Sequence, residues 1–250
     1  MSSEVTTSRR TYQKVTRLVD VACQCENGVK PPHSKALSLA TTPKTDRELK
    51  RAQMPTFSHV IKVLPELQVT RLDLERLFGR NAPLHVDLGC GDGSFLCEMA
   101  HQFPKKNFLG IERLTKRVEK VRRKAEKIEN VRVLRADTLF VVLYLLPESS
   151  VETFYLLFPD PWPKRRHQFR RIFTLDFLGA IAVALEQNGV LCIATDQRDY
   201  FHQIERVSRA QLQFQVVPHA VLPATKFERK FREQGVPIYR LTLRKTSPVR

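Results

Sequence analysis

The sequence predicts an α/β protein built on an open, doubly wound, mostly parallel sheet of seven strands. Three observations carry that expectation. Short apolar strand-like runs alternate with helical patterns, a glycine turn follows the first run, and an acidic residue recurs at or just after the end of each of the first five strands. In such sheets ligands bind beyond the carboxyl ends of the strands, so Asp92, Glu112, Asp137, Asp160 and Asp196 are expected on one rim.

Residues 1 to about 50 mix Ser, Thr, Lys, Arg and Pro with few large apolar residues, which predicts a mobile basic arm ahead of a domain over 51–250. Leu67, Leu72, Leu74, Leu77 and Phe78 predict an entrance helix within 57–80, broken by Asn81-Ala82-Pro83. Strand one covers 84–88, Gly89-Cys90-Gly91-Asp92-Gly93 turns the chain, and a helix opens near Ser94. Strand two, 108–111, ends at Glu112. The next helix carries Leu114, Val118, Val121, Ala125 and Ile128 on its apolar face and a dense set of lysines and arginines elsewhere. Strand three, 131–134, leads to Asp137, a helix covers 139–146, and strand four covers 153–158. A helix over 173–185, closed by Asn188-Gly189, precedes strand five, 190–194, and Thr195-Asp196. After a helix near 200–209, strands around 214–217 and 238–243 close the sheet as an antiparallel pair.

The chain has 250 residues, with 42 Lys and Arg against 26 Asp and Glu and a formal charge of +16. That excess points to a polyanion: RNA, DNA or an anionic membrane surface. No run of about eighteen apolar residues exists, so no spanning helix is expected. The N-terminus lacks a secretory signal; its Ser, Thr and Arg resemble an organellar transit peptide, against which Glu4 and Asp20 argue. The five cysteines show no paired framework, and Cys90, Cys97 and Cys192 lie in core-like or turn segments, which suits a reducing, cytoplasmic compartment. Cys23-Gln24-Cys25 with His33 fits no common zinc spacing, so no metal is expected.

The chemistry concentrates in Phe158-Pro159-Asp160-Pro161-Trp162-Pro163-Lys164-Arg165-Arg166-His167. The prolines restrict the backbone around Asp160, Trp162 offers a stacking face, and Lys164, Arg165, Arg166, Arg170 and Arg171 are placed to neutralise phosphates. Acid, ring and bases converge within ten residues at a strand end, which reads as the active centre of an enzyme acting on nucleic acid.

The glycine turn narrows the cofactor. A full dinucleotide fingerprint lacks its third glycine here, where Ser94 stands, and Asp92 would repel a pyrophosphate. S-adenosylmethionine has no phosphate, carries a sulfonium cation and offers several hydrogen-bond donors, so an acidic rim suits it. Asp87 is expected to orient its methionine end through the glycine turn, Glu112 to meet the ribose hydroxyls and Asp137 the adenine side.

From about residue 84 onward the chain resembles the TrmB-type tRNA (guanine-N7)-methyltransferases. The resemblance rests on Asp87-Leu88-Gly89-Cys90-Gly91, Asn107 to Glu112, Asn130-Val131-Arg132 with Asp137, the 158–167 block, Thr195-Asp196 and Thr225-Lys226-Phe227-Glu228. It implies a class I S-adenosylmethionine-dependent methyltransferase fold of the Rossmann-like type, and methylation of N7 of guanine 46 in the tRNA variable loop. It implies cofactor contacts from Asp87, Gly89, Gly91, Glu112, Asp137 and Asp160, with Asp160 catalytic, and substrate contacts from Lys164, Asp196, Thr225, Lys226, Phe227 and Glu228. Asp87 stands where the family often has Glu, and Phe169 where a basic residue often follows the Arg-His pair. Two other readings stand beside this one: an amino-methyltransferase acting on adenine N6 or cytosine N4, and a non-catalytic RNA-binding protein with the same fold. Monomer and homodimer are both open.

Overall fold

The computed structural model describes residues 69–246. The expected arm, Cys23, Cys25 and the part of the entrance helix before residue 69 lie outside the described residues. The elements run in the order α1 (Leu74–Phe78), β1 (Leu84–Leu88), α2 (Ser94–Gln102), β2 (Asn107–Glu112), α3 (Thr115–Ala125), β3 (Val131–Arg135), α4 (Thr138–Phe140), β4 (Val151–Leu157), α5 (Leu175–Ala184), β5 (Leu185–Thr195), α6 (Arg198–Arg209), β6 (Phe214–Val217), α7 (Lys226–Glu233) and β7 (Tyr239–Lys245).

The strands form one seven-stranded sheet in the order β3-β2-β1-β4-β5-β7-β6, doubly wound and mostly parallel as the alternation of runs predicts. β1 to β5 pair in parallel, and β7 runs antiparallel between β5 and β6. Every residue of β1 and β2 is buried. Successive side chains point to opposite faces, so full burial means that both faces of the sheet are covered. Phe108, Ile111, Phe154, Leu178 and Tyr200 are among the fully buried side chains of this core. Gly110 marks the tightest approach in it: a Cβ there would lie 2.6 Å from Leu96 Cδ2 and 2.7 Å from Cys90 Sγ, so the β2 backbone can pass beneath α2 only without a side chain.

Because β1 has β2 on one side and β4 on the other, the chain winds outward in both directions from this pair. A crevice therefore opens over their carboxyl ends.

Several boundaries differ from the sequence expectation. Residues 69–73 are not helical; Asp73 accepts from Arg76 N at 3.0 Å and starts α1 there, while Leu72 N is spent on Leu145 O at 2.8 Å. Leu114 leaves the expected apolar face, stands as the cap of α3 and is 46% exposed. The helix expected over 139–146 is one α-turn that passes into a π-helical turn, Val141–Leu145. Asn188-Gly189 does not close α5. The helix ends at Ala184, and Asn188 takes a left-handed φ of 67° inside an excursion of β5 that skips from Leu185, opposite Val151, to Val190, opposite Thr153.

Candidate active site

The glycine turn after β1 sets the floor of the crevice. Gly89 and Gly91 take φ of 87° and 58°, and a Cβ on either would meet nothing in the chain within 4 Å. The space beside them is open to a ligand, and only glycine holds that backbone without strain. The N–H groups of the turn, apart from that of Asp92, are already committed. Gly89 and Cys90 both donate to Ile111 O at 2.9 Å, Gly91 to Glu112 Oε2 at 3.1 Å, Gly93 to Cys90 O at 2.9 Å and Ser94 to Asp92 Oδ1 at 3.2 Å. A phosphate cradle needs such donors unspent. With carboxylates around it as well, this turn fits a cationic cofactor without phosphates.

Those carboxylates come from successive strand ends. Asp87, near the end of β1, is buried, and burial followed by the charge of Glu112 pushes its pKa up to about 7. Glu112, at the end of β2, is also buried; it accepts from Leu114 N at 2.8 Å and faces Arg117 Nη1 at 3.5 Å. Asp137, beyond β3, caps α4 by accepting from Phe140 N at 3.1 Å. Asp87, Gly89, Gly91, Glu112, Asp137, Asp160, Thr225, Lys226 and Phe227 all line a single cleft of about 1130 Å³.

The loop after β4 is its most constrained wall. Phe158 and Trp162 both adopt left-handed backbones, with φ of 55° and 40°, on either side of Pro159-Asp160-Pro161. Each costs on the order of 1–2 kcal/mol for a residue with a Cβ, so the loop holds its shape only because its surroundings impose it. Phe158 N donates to Ala194 O at 2.7 Å, and the Phe158 ring packs 5.5 Å from Phe231 and 6.5 Å from Phe227, both on α7. The Arg170 guanidinium lies 5.0 Å above the Trp162 ring, and His167 meets that ring edge-on at 6.0 Å.

Arg171 does not join this basic surface, contrary to the expectation that it contacts phosphate. Its side chain is 2% exposed. It donates to Pro161 O at 2.7 Å, Gln203 Oε1 at 2.9 Å and Asp199 Oδ2 at 2.5 Å, and lies 4.7 Å from the Tyr200 ring centre.

The remaining expected substrate residues separate. Lys164 is exposed and caps the 3-10 turn Arg165–Arg170 outside the cleft lining. Asp196 accepts from Gln197 Nε2 at 2.5 Å, also outside it. Thr225-Lys226-Phe227-Glu228 turns out to start α7: Thr225 Oγ1 accepts from Glu228 N at 3.0 Å, one half of a capping box. Glu228 is buried against Arg232 and Arg240 and faces away from the cleft, whereas Phe227 stays 52% exposed at its wall. Sequence reasoning missed Arg113, Arg229 and Lys230 at the rim; the helical spacing of Lys226, Arg229 and Lys230 was the available signal.

A glycine turn unsuited to phosphate and strand-end carboxylates in one cleft, on a doubly wound seven-stranded sheet, are the features of a class I S-adenosylmethionine-dependent methyltransferase. A family model described as "Putative methyltransferase" matches residues 81–241. A tRNA (guanine-N(7)-)-methyltransferase of Halorhodospira halophila is 38% identical over 183 residues, 69% of this chain and 79% of that protein. One from Cronobacter sakazakii is 36% identical over 198 residues, 75% and 83%. One from Thermotoga maritima is 33% identical over 207 residues; the match takes in 80% of this chain and 62% of the longer relative. The chain belongs to the TrmB-type tRNA (guanine-N7)-methyltransferase family. Among solved structures, the 16S rRNA methyltransferase KamB superposes with a TM-score of 0.54 at 16% identity, covering 71% of this chain and 95% of that one. The antibiotic-resistance methyltransferase Kmr gives 0.51 at 19%, covering 73% and 96%. These two share the fold. Among the described residues no helix is long and apolar enough to cross a membrane.

Proposed function

We propose that this protein methylates N7 of a guanine in tRNA, at position 46 of the variable loop, in the cytoplasm. The observation that carries the reading is one cleft with an acidic floor, Asp87, Glu112 and Asp137, and a basic rim that includes Arg117, Lys120, Arg170, Lys226 and Lys230. The floor suits a cationic cofactor and the rim a polyanionic substrate.

S-adenosylmethionine supplies a methyl group activated by a sulfonium. Asp87 and Glu112 hold its cationic and hydroxyl-bearing parts, and Asp137 its adenine side. Guanine N7 carries an in-plane lone pair and no proton, so no base need deprotonate the attacking atom, and catalysis reduces to positioning and electrostatics. Asp160 lines the same cleft as the cofactor acids and the basic rim, and favours the positive charge that grows on the purine. Phe227 offers a stacking face beside it, and Lys226 and Lys164 meet phosphates. Asp196, outside the cleft lining just beyond β5, can accept from the guanine N1–H and exocyclic amine only if the base reaches past the cleft and displaces Gln197. Glu228, committed to two arginines, serves by fixing α7 rather than by touching the base.

Methyl incorporation from labelled S-adenosylmethionine into unmodified tRNA, beside a transcript whose variable-loop guanine is adenine, tests the reading. Incorporation into the guanine transcript alone, with chain cleavage by aniline, is expected. Incorporation into both would favour an amino-methyltransferase, and none into either a binding protein.

The rim extends along α3, where Lys116, Lys120 and Arg123 fall at i, i+4 and i+7 on one exposed face, about 10 Å from end to end at 1.5 Å per residue. Lys116→Glu with Arg123→Glu is expected to weaken tRNA binding and to lower the slope of log affinity against log salt by roughly 1 to 2. An unchanged slope would place the RNA elsewhere.

A further inference from the structure

The Asp160 loop lacks the N–H groups of Pro159, Pro161 and Pro163, so it is held mainly through its carbonyls and rings. Its two left-handed residues demand firm holding. On the β4 side the Phe158 N–H and the aromatic contacts to α7 supply it. On the far side of Asp160 a side-chain donor reaches the carbonyl of Pro161, the very next residue: Arg171 Nε, at 2.7 Å.

The same guanidinium is fixed at its other nitrogens by Gln203 and Asp199 and lies against Tyr200, all on α6. α6 begins just beyond β5, the strand next to β4 in the sheet. The side chain is therefore a rigid strut from α6 to the backbone beside Asp160. A planar fork with donors in fixed directions is what such a strut requires, and a lysine ammonium cannot meet all these partners at once.

We propose that Arg171 is a positioning residue for methyl transfer, acting through Pro161 to hold the Asp160 carboxylate in its working orientation. This rests on the reading of Asp160 as catalytic. It assigns the adjacent arginines opposite tasks: Arg170 faces the cleft over Trp162, while Arg171 never meets the substrate.

The test is Arg171→Lys, which keeps a cation for Asp199, assayed below its own melting temperature. The expected result is a kcat reduced about a hundred-fold, with the KM for tRNA and the Kd for S-adenosylmethionine within about threefold of wild type. Combined with Asp160→Ala, Arg171→Lys should add less than about twofold, because both changes remove one function. Wild-type kcat in Arg171→Lys, multiplicative losses in the double variant, or an equal loss of cofactor affinity would each overturn the role. Full turnover in Asp160→Ala would instead remove the reading beneath it. Should Arg171→Lys not fold, Gln203→Ala removes only one acceptor of the strut, with a three- to tenfold lower kcat and unchanged KM expected; unchanged kcat would overturn the role.

Discussion

Asp160→Ala is expected to slow methyl transfer to tRNA by about a hundred- to a thousand-fold, the range seen when one preorganised electrostatic partner of a transition state is removed. The loss should fall on kcat. The carboxylate is exposed and caps no helix, so its removal should shift folding stability by no more than about 0.5 kcal/mol. In the free enzyme its field is screened by water. With tRNA and cofactor closing the cleft, water is displaced and the same charge acts at lower dielectric on the purine that is becoming cationic. Asp160→Asn separates charge from shape. It keeps the planar side chain between Pro159 and Pro161 and should lose nearly as much as the alanine variant. Single-turnover methyl transfer measures both, and an asparagine enzyme above about a tenth of wild-type rate would show that the charge is not what the reaction uses.

The second large effect is expected at Asp87 and depends on pH. In the free protein, burial and then the charge of Glu112 raise its pKa to about 7, whereas the unfolded chain leaves it in the ordinary carboxylate range near 4. Between those values the folded state binds more protons than the unfolded state. Stability therefore declines as pH rises through that window, and the loss is complete above about 7. Cofactor binding should reverse the sign. A cationic ligand favours the ionised carboxylate, so binding near pH 6 releases a proton, and affinity rises up to about tenfold per pH unit before levelling above 7. Titration calorimetry between pH 5.5 and 8, in two buffers of different ionisation enthalpy, measures both the slope and the proton count. Asp87→Asn should flatten the profile, weaken binding at pH 8 by about tenfold or more, and raise the stability of the free protein at that pH. A flat profile in the wild-type protein would mean that Asp87 keeps one protonation state throughout.

Much of the fold is legible in the residue pattern because strand and helix periods are local properties. The runs around 84–88, 108–111 and 131–134 carry enough apolar residues to read as strands, the helices between them imply parallel crossovers, and their parallel pairing brings the acids that follow them to one rim. The stop of α5 was misread because Asn188-Gly189 has the chemistry of a helix end, yet the same left-handed asparagine serves a strand excursion. Local preference does not distinguish the two. Leu114 fits the helical period but belongs to the cap, where the cleft leaves it uncovered.

What the sequence by itself determined about this protein is its alternation of elements, its acidic strand ends, its phosphate-averse glycine turn and a loop rich in proline and charge. Only the tertiary structure decided which of these charges act at the surface and which brace the interior. Arg170 and Arg171 are neighbours of identical chemistry, and Glu228 ends a stretch that reads as substrate contact. Arg171 is drawn inward by Asp199 and Gln203, 28 and 32 residues away, and Glu228 by Arg240 on a strand that no local pattern pairs with it. The physical reason is that a charge is tolerated in the interior only where distant partners converge on it. That convergence belongs to the order of strands in the sheet, which no short stretch of chain encodes.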